Sequence, residues 1–233
     1  MDLKETDILG DSIGEHWYYC SKAAATRRML GEAPIKRILD VGAGSGFFSH
    51  HLLTHTAARE AWCVDISYPA DFSATTAGKP VHYRRAIDSV DADLVLLMDV
   101  LEHVDDDLGL LKSYVDKVPS GSRFLMTVPA FRFLWSGHDD FLEHKRRYTL
   151  GQFEALTEKA GLTVERGAYY FGAVFPMAVA SRLIPGSSTP RSQLKKHHPL
   201  VNALLKTLCR LELPLMNLNR VAGLSVFVLA RKP

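Results

Sequence analysis

The sequence predicts a single α/β domain over residues 1–233, built on a doubly wound, mostly parallel sheet. Three observations predict this fold. Short apolar runs typical of buried strands alternate with segments of helical periodicity. A glycine turn at 42–46 joins the first strand to a helix, and the run 93–98 is nearly all apolar, as expected of a strand covered on both faces. Because such sheets bind ligands beyond the carboxyl ends of their strands, the loops there are the candidate sites.

The first half of the chain supplies most of this alternation. Helix formers fill residues 15–30, and Gly31 followed by Pro34 signals the end of that helix. Further helices are predicted over 47–53 and 105–118. The strands predicted in this region cover 36–41, 61–65, 81–84, 93–98 and 123–128.

The last third of the chain adds elements beyond those that cover the sheet. They are a helix capped by Thr149 and ended by Gly161, a strand at 162–170, apolar helices at 172–184 and 200–215, and a last strand at 223–230. We expect 130–150 and 172–218 to be insertions on the substrate side, and 15–31 to form an N-terminal lid helix. A dimer interface or ordinary core is the alternative for the apolar helices, so an oligomer formed through them stays open.

Charge and cysteine content exclude several classes of protein. The 28 basic and 26 acidic residues give a net charge of +2, which is too small to predict binding to nucleic acid. Three widely spaced cysteines, Cys20, Cys63 and Cys209, indicate neither a disulfide framework nor a zinc site. The acidic N-terminus lacks the features of a signal peptide, so we expect a cytoplasmic protein. The basic segment 195–198 beside an apolar helix leaves open a peripheral contact with the inner face of the membrane.

The glycine turn is the first candidate ligand site. Its glycines allow a sharp turn close to a ligand, which predicts that Gly42, Ala43 and Gly44 cradle part of a nucleotide-like molecule. Asp40 ends the strand before the turn, where it suits contact with an amino-acid group. Asp65 ends the next strand, where a carboxylate can accept hydrogen bonds from two ribose hydroxyls. A dinucleotide would also use Asp65, and a plain structural turn is a further alternative.

Three motifs together resemble class I methyltransferases that depend on S-adenosylmethionine (SAM), a large group that includes ubiquinone-type O-methyltransferases. ILDVGAGSG is similar to the first motif of that family, CVDIS to its ribose-binding motif and LLMDVLEHV to its fourth-strand motif. The resemblance implies SAM as the cofactor and a seven-stranded Rossmann-like sheet. It also implies that Asp65 and Ile66 hold the ribose and adenine, and that Met98 lies near the transferred methyl group. Ile87 or Asp88 would meet the adenine edge, with an exposed turn carboxylate as the alternative for Asp88.

A second resemblance extends over much of the remaining chain. EHWYYCSKAAATRRML is similar to the His-Trp/Phe-Trp-x-x-x-Arg opening of one branch of these methyltransferases, and TVPAFRFLWSGHDDFLEHKRRYT to its segment after the fifth strand. Lys22 stands where that opening usually has Arg. Tyr18, together with His16 and Trp17, is a candidate lid over the methionine end of SAM, and simple packing is the alternative.

The candidate catalytic residues follow the fourth and fifth strands. Much of the catalysis of methyl transfer can come from alignment, and a base is needed only when the acceptor carries a proton. His103, after the fourth strand, is a candidate base, with packing or capping as the alternative. After the fifth strand, the candidate base and its orienting residues are His138, Asp139 and His144, and the candidate substrate contacts are Trp135, Arg146, Arg147 and Tyr148. We expect no metal, because no second cluster of ligands accompanies these residues.

These observations predict a SAM-dependent methyltransferase. O-methylation of a small aromatic or lipid-linked hydroxylated acceptor is favoured, because candidate bases line the proposed site and apolar helices can wall it. Three alternatives stay open: a non-catalytic scaffold subunit with the SAM-binding fold, a methyltransferase acting on protein or RNA, and an NAD-dependent oxidoreductase.

Overall fold

The computed structural model describes residues 10–32, 34–182 and 197–233, which form one eight-stranded sheet with helices packed against it. The strands are β1 Arg37–Val41, β2 Glu60–Val64, β3 Phe72–Thr76, β4 Lys79–Arg84, β5 Leu94–Met98, β6 Arg123–Pro129, β7 Thr163–Tyr170 and β8 Ser225–Arg231. Their order across the sheet is β3-β4-β2-β1-β5-β6-β8-β7. The five strands from β4 to β6 run parallel, whereas β3 and β8 are antiparallel to their neighbours. The predicted doubly wound, mostly parallel sheet is confirmed.

The helices agree with most of the predicted ones. They are α1 Trp17–Leu30, α2 Phe47–His55, α3 Asp107–Asp116, α4 Gly137–Phe141, α5 Leu150–Lys159, α6 Phe175–Arg182 and α7 Pro199–Glu212. Short 3₁₀ helices cover Gly10–Glu15, Leu101–His103, Arg132–Leu134 and Leu213–Leu218. Residues 183 and 184 of the predicted 172–184 helix lie outside the described residues, as do Lys195 and Lys196 of the basic segment. No described helix combines the length and apolar character needed to cross a membrane.

The sheet has eight strands instead of the expected seven, because no sequence signal predicts β3. This edge strand reads FSATT, and four of its five residues are exposed, so it lacks the apolar alternation that marks a strand. It pairs with β4 through a two-residue turn, in which Ala77 and Gly78 both have positive φ, at 51° and 73°. Such a turn matches the twist of paired antiparallel strands.

Strand β5 lies in the middle of the sheet and explains why its sequence is almost wholly apolar. All five of its residues are buried. Leu94 and Leu96 pack into the core on one face, and Val95 and Leu97 pack into the core on the other. Because successive side chains of a strand point to opposite faces, a strand covered on both sides needs apolar residues at every position. The residues after Met98 therefore lie beyond the carboxyl ends of the parallel strands, where sheets of this kind bind ligands.

The segment after β6 returns to the sheet as a closed loop. Its two ends pair, since the amide of Phe131 donates to the carbonyl of Tyr148 at 2.9 Å and the amide of Tyr148 donates to that of Pro129 at 3.0 Å. Thr149 then caps α5 in a capping box with Gln152, as the sequence predicts for the start of this helix. These bonds hold α4 at the carboxyl end of β6, next to the end of β5.

Candidate active site

The glycine loop follows β1 at the edge of the sheet where ligands bind. Gly42 has a φ of 62°, and a Cβ atom there would lie 2.8 Å from Cγ2 of Val100, so a larger residue would displace that side chain. The amides of Gly42 and Ala43 donate to the carbonyl of Val64 at 2.7 and 3.2 Å. The loop is thereby fixed between the ends of β1 and β2 as a cradle of backbone atoms.

Asp65 lies one residue beyond β2 and is almost completely buried. Its carboxylate accepts hydrogen bonds from the amides of Gly44 at 3.0 Å and Ser67 at 2.9 Å, and from the hydroxyl of Ser67. Burial alone would raise the pKa of Asp65, but the hydrogen bonds from Ser67 and Gly44 hold it below its ordinary value. The group is therefore charged at neutral pH, and a charged carboxylate at this place has the chemistry to accept hydrogen bonds from ribose hydroxyls.

Ile66 follows Asp65 with 84% of its surface exposed, although isoleucine is usually a core residue. An apolar side chain next to a buried carboxylate fits the face of an adenine whose ribose is bound by that carboxylate. The glycine cradle, Asp65 and Ile66 thus fit the adenosine half of SAM. Ile87 and Asp88 lie beyond the end of β4, where they line a separate shallow pocket with Trp62, Arg84, Ala86 and Ser89.

A cavity of about 200 Å³ opens beside the glycine loop. Of the residues singled out from the sequence, it is lined by Tyr18, Asp40, Gly42, Ala43, Met98, His138, His144 and Arg147. Its other charged lining residues are Lys22, Asp99, Glu102 and Arg182, and its apolar walls include Trp17, Phe48, Leu134, Leu142 and Ala178. The structure therefore gathers the end of β5, helix α1 and the segment after β6 around one space, which Met98 and Gly42 also line.

Asp40 is buried where this cavity meets the glycine loop. Its Oδ2 atom accepts a hydrogen bond of 2.8 Å from the hydroxyl of Ser49 on α2. This contact fixes the carboxylate close to Gly42 and Ala43, a placement compatible with the contact to the amino-acid end of SAM that the sequence predicts.

Lys22 and Asp99 form an ion pair that the sequence analysis did not predict. The Lys22 side chain is fully buried, and its ammonium group contacts Oδ2 of Asp99 and lies 3.2 Å from the hydroxyl of Tyr18. The hydroxyl of Thr127 donates to Oδ1 of Asp99 at 2.9 Å. Although burial raises the pKa of Asp99, the Lys22 charge and these hydrogen bonds lower it overall. The one sequence signal for this pair was that Lys22 occupies a position where the resembling branch usually has Arg.

Asp139 holds the second polar cluster together. It is fully buried, and it accepts hydrogen bonds from Nδ1 of His144 at 2.8 Å, from Nε of Arg147 at 2.6 Å and from the amide of Ser136 at 2.9 Å. Burial raises the pKa of Asp139, but the hydrogen bonds and charges of His144 and Arg147 lower it far below its ordinary value. Asp139 does not line the cavity itself, so it orients the His144 and Arg147 side chains that do.

The two other candidate bases differ in placement. His138 lines the cavity, whereas His103 is not among its lining residues. Burial lowers the pKa of His138 to about 4, and burial followed by the His144 charge lowers that of His103 to about 4. Both rings are therefore neutral at physiological pH.

Three predicted substrate contacts do not line the cavity. Arg146 donates to the carbonyls of Val104 and Asp105 and pairs with Asp107 at 3.0 Å. The hydroxyl of Tyr148 donates to Oδ2 of Asp107 at 2.7 Å. The indole of Trp135 donates to Oδ1 of Asp140 at 3.0 Å. These side chains tie the loop after β6 to itself and to α3, which leaves Arg147 as the member of the predicted set that faces the cavity.

Comparison with known proteins identifies a methyltransferase domain in this chain. A family model described as a methyltransferase domain matches residues 15–166. No curated protein matches the sequence. Among solved structures, a chain from the complex between the Haloferax volcanii Trm112 methyltransferase activator and a methyltransferase is 14% identical, with 95% of this chain and 92% of that chain covered and a TM-score of 0.57.

Two further structures have the same fold over nearly the whole chain. A methyltransferase from Bacillus halodurans C-125 is 12% identical over 91% of this chain and 99% of that chain, with a TM-score of 0.55. A structure described as a sarcosine dimethylglycine methyltransferase from Galdieria sulphuraria is 16% identical over 92% of this chain and 86% of that chain, with a TM-score of 0.54. At these identities the likeness shows the fold, and the matched model shows the family.

Proposed function

Because the chain belongs to the methyltransferase-domain family and is a class I SAM-dependent methyltransferase, we propose that it O-methylates a small aromatic or lipid-linked hydroxylated acceptor. When bound, SAM supplies an electrophilic methyl group on a sulfonium, and transfer of this group breaks the S–CH3 bond and releases S-adenosylhomocysteine. The chain supplies the alignment of this methyl group with the acceptor oxygen and a place for the acceptor proton. The cavity between the glycine loop and the segment after β6 is the proposed acceptor site.

One observation carries this proposal: the cavity brings a neutral histidine, His138, to the same space as Gly42 and Met98. Because burial lowers the pKa of His138 to about 4, the imidazole is unprotonated and can accept the hydroxyl proton as the oxygen is methylated. So weak a base suits a phenolic hydroxyl, whose pKa of about 10 makes it a better proton donor than an aliphatic alcohol. The aromatic and aliphatic walls of the cavity also suit an aromatic ring.

A leucine stripe on α7 supports a lipid-linked acceptor. Leu200, Leu204 and Leu211 are 75%, 60% and 72% exposed. At 100° per residue these three side chains lie within about 40° of one another on the helix surface. Lys206 and Arg210 lie on the same helix. An exposed apolar face with basic residues on the same helix is typical of a helix lying in a membrane interface, which supports a peripheral contact with an anionic membrane.

The stripe predicts binding to lipid vesicles. The double substitution Leu204→Gln and Leu211→Gln should weaken co-sedimentation with phosphatidylglycerol-containing vesicles about tenfold or more, because each buried leucine contributes on the order of 1 kcal/mol at an interface. Val221→Ser removes an apolar residue outside the helix that is even more exposed than the two leucines, and it should leave vesicle binding unchanged. If the wild-type protein ignores vesicles but forms a dimer that the double substitution dissociates, the stripe is an interface between copies and the membrane contact is wrong.

The acceptor class is tested with SAM carrying a tritiated methyl group. Purified protein is incubated with this SAM and with cell extract separated into an organic-solvent-soluble fraction and an aqueous fraction. The proposal predicts that the labelled product is a lipid or a small aromatic compound. Label that accumulates in protein or RNA would support the alternative acceptors, and SAM binding with no labelled product in any fraction would support the scaffold alternative.

A further inference from the structure

Three side chains with metal-binding atoms meet beside the cavity, although the sequence alone predicts no metal. They are Glu102, His103 and His144, and their ligand atoms all lie within 4.8 Å of one another. Glu102 and His103 belong to the 3₁₀ helix after β5, and His144 comes from the loop after β6. Sequence reasoning did not bring them together, because 40 residues separate the two segments and only the fold makes them neighbours.

Glu102 is the least expected member of this cluster. Its side chain is fully buried, and neither oxygen of its carboxyl group accepts a hydrogen bond from another described residue. A buried carboxyl group without partners is costly, since it has given up its hydrogen bonds with water. Burial, and then the charge of Asp99, raise the pKa of Glu102 well above its ordinary value. A cation in contact with this group would supply the partner that the protein does not.

Each of the two histidines has an Nε2 atom that can bind the same ion. The Nε2 atom of His103 is buried and has no hydrogen-bond partner among the described residues. The Nδ1 atom of His144 is bonded to Asp139, which leaves Nε2 as its ligand atom. A carboxylate behind a ligating histidine is the usual outer partner in metal sites, because it fixes the ring and its tautomer. The two rings lie nearly perpendicular, with centroids 4.8 Å apart.

We propose that Glu102, His103 and His144 bind a divalent transition-metal ion, with Asp139 orienting His144. Two histidines and one carboxylate form the ligand set of catalytic zinc sites and of related sites for first-row metals. Bonds of about 2.1 Å to zinc place ligand atoms about 3.4 Å apart. The ligand atoms of these side chains would therefore move roughly 1 Å closer together when the ion binds.

The surrounding charges and the cavity are compatible with this ion. The Lys22–Asp99 and Arg147–Asp139 pairs each cancel, and of the other charged groups that line the cavity Asp40 and an ionised Glu102 are negative and Arg182 is positive, which leaves one net negative charge. Glu102 and His144 also line the cavity, so an open position of the ion can face the acceptor. An ion there would lower the pKa of a bound hydroxyl, which complements the weak base His138. This role rests on the proposed function, whereas binding of the ion does not.

The test is direct metal binding by the full chain after treatment with a chelator. Titration with Zn²⁺ should show one tight equivalent, and Co²⁺ should give the visible absorption of a site with nitrogen and oxygen ligands. Glu102→Gln, which keeps the shape of the side chain, and His144→Gln should each weaken Zn²⁺ binding about 100-fold or more, since even the loss of an outer partner costs 10–100-fold. His55→Gln is the matched control, because His51 and His55 stack on α2 with centroids 4.2 Å apart and are the rival ligands.

The outcomes separate the metal site from the methyl transfer. Tight Zn²⁺ binding in the wild type and in His55→Gln, lost in the two cluster variants, supports the site even if no methyl acceptor is found. A folded wild-type chain that binds no Zn²⁺, or cluster variants that bind it as the wild type does, overturns the site even if methyl transfer is observed. Circular dichroism of each variant shows that lost binding is not lost folding.

Discussion

Replacing Asp139 with alanine is expected to lower the free energy of unfolding by about 3–5 kcal/mol, because removing one member of a buried ion pair leaves the other charge uncompensated. Asp139 is fully buried and the Arg147 side chain is 8% exposed, so water cannot replace the lost carboxylate. The same change removes the hydrogen bond that orients His144. Urea unfolding followed by tryptophan fluorescence measures the effect.

Two variants sharpen this prediction. Asp140→Ala changes the neighbouring, exposed carboxylate and should alter stability by about 1 kcal/mol or less, as is usual for surface substitutions. Asp139→Asn keeps the shape and part of the hydrogen bonding, so its loss of unfolding free energy should lie between those of Asp139→Ala and Asp140→Ala. A loss below about 1 kcal/mol in Asp139→Ala would mean that the network around Asp139 does not hold the segment after β6 in place.

Replacing Lys22 with methionine is expected to have the second largest effect, a loss of about 3 kcal/mol or more of unfolding free energy. Methionine matches the length of the lysine stem, so the change removes the charge and leaves little empty space. Asp99, which is 24% exposed, is then left beside Glu102 without its cation. Denaturant unfolding between pH 6 and 8 measures the loss.

A double variant and a control variant test whether the uncompensated charge of Asp99 causes this loss of stability. Lys22→Met combined with Asp99→Asn removes both charges and should recover much of the stability, because no uncompensated charge stays buried. Arg28→Met removes an exposed cation from the same helix and should cost far less. If the double variant is as unstable as the two single changes added together, the pair contributes no coupling energy and its proposed role is wrong.

The parts of the fold that local sequence signals determine could be predicted. The apolar run of β5 and the glycine turn after β1 each carry a signal within a few residues, and both elements lie where the sequence predicts. Strand β3 could not be predicted, because it is polar and exposed and is defined by its pairing with β4. The apolar helix at 200–215 was predicted as an element, but its exposed leucine stripe depends on which face the rest of the fold leaves uncovered.

The candidate site likewise contains residues whose positions local motifs predict and residues that only the fold brings together. Gly42, Asp65 and Met98 stand in contiguous motifs, so their positions at strand ends follow from the sequence. The pairing of Lys22 with Asp99 and the meeting of Glu102 with His144 join segments far apart in the chain, which no local pattern encodes. Arg146 and Arg147 are adjacent and chemically alike, and only the packed loop determines that one binds backbone carbonyls while the other faces the cavity.

The most direct test of the central claim is the dependence of methyl-transfer rate on SAM concentration for the wild type, Asp65→Ala and His138→Ala, with an acceptor fraction that the wild type labels. Asp65→Ala should raise the KM for SAM about tenfold or more, because the charged group proposed to accept the ribose hydroxyls is lost. His138→Ala should leave that KM unchanged and lower kcat by about 10²–10⁴, which is the usual contribution of a general base. An equal rise of KM in both variants, or an unchanged kcat in His138→Ala, would contradict the account.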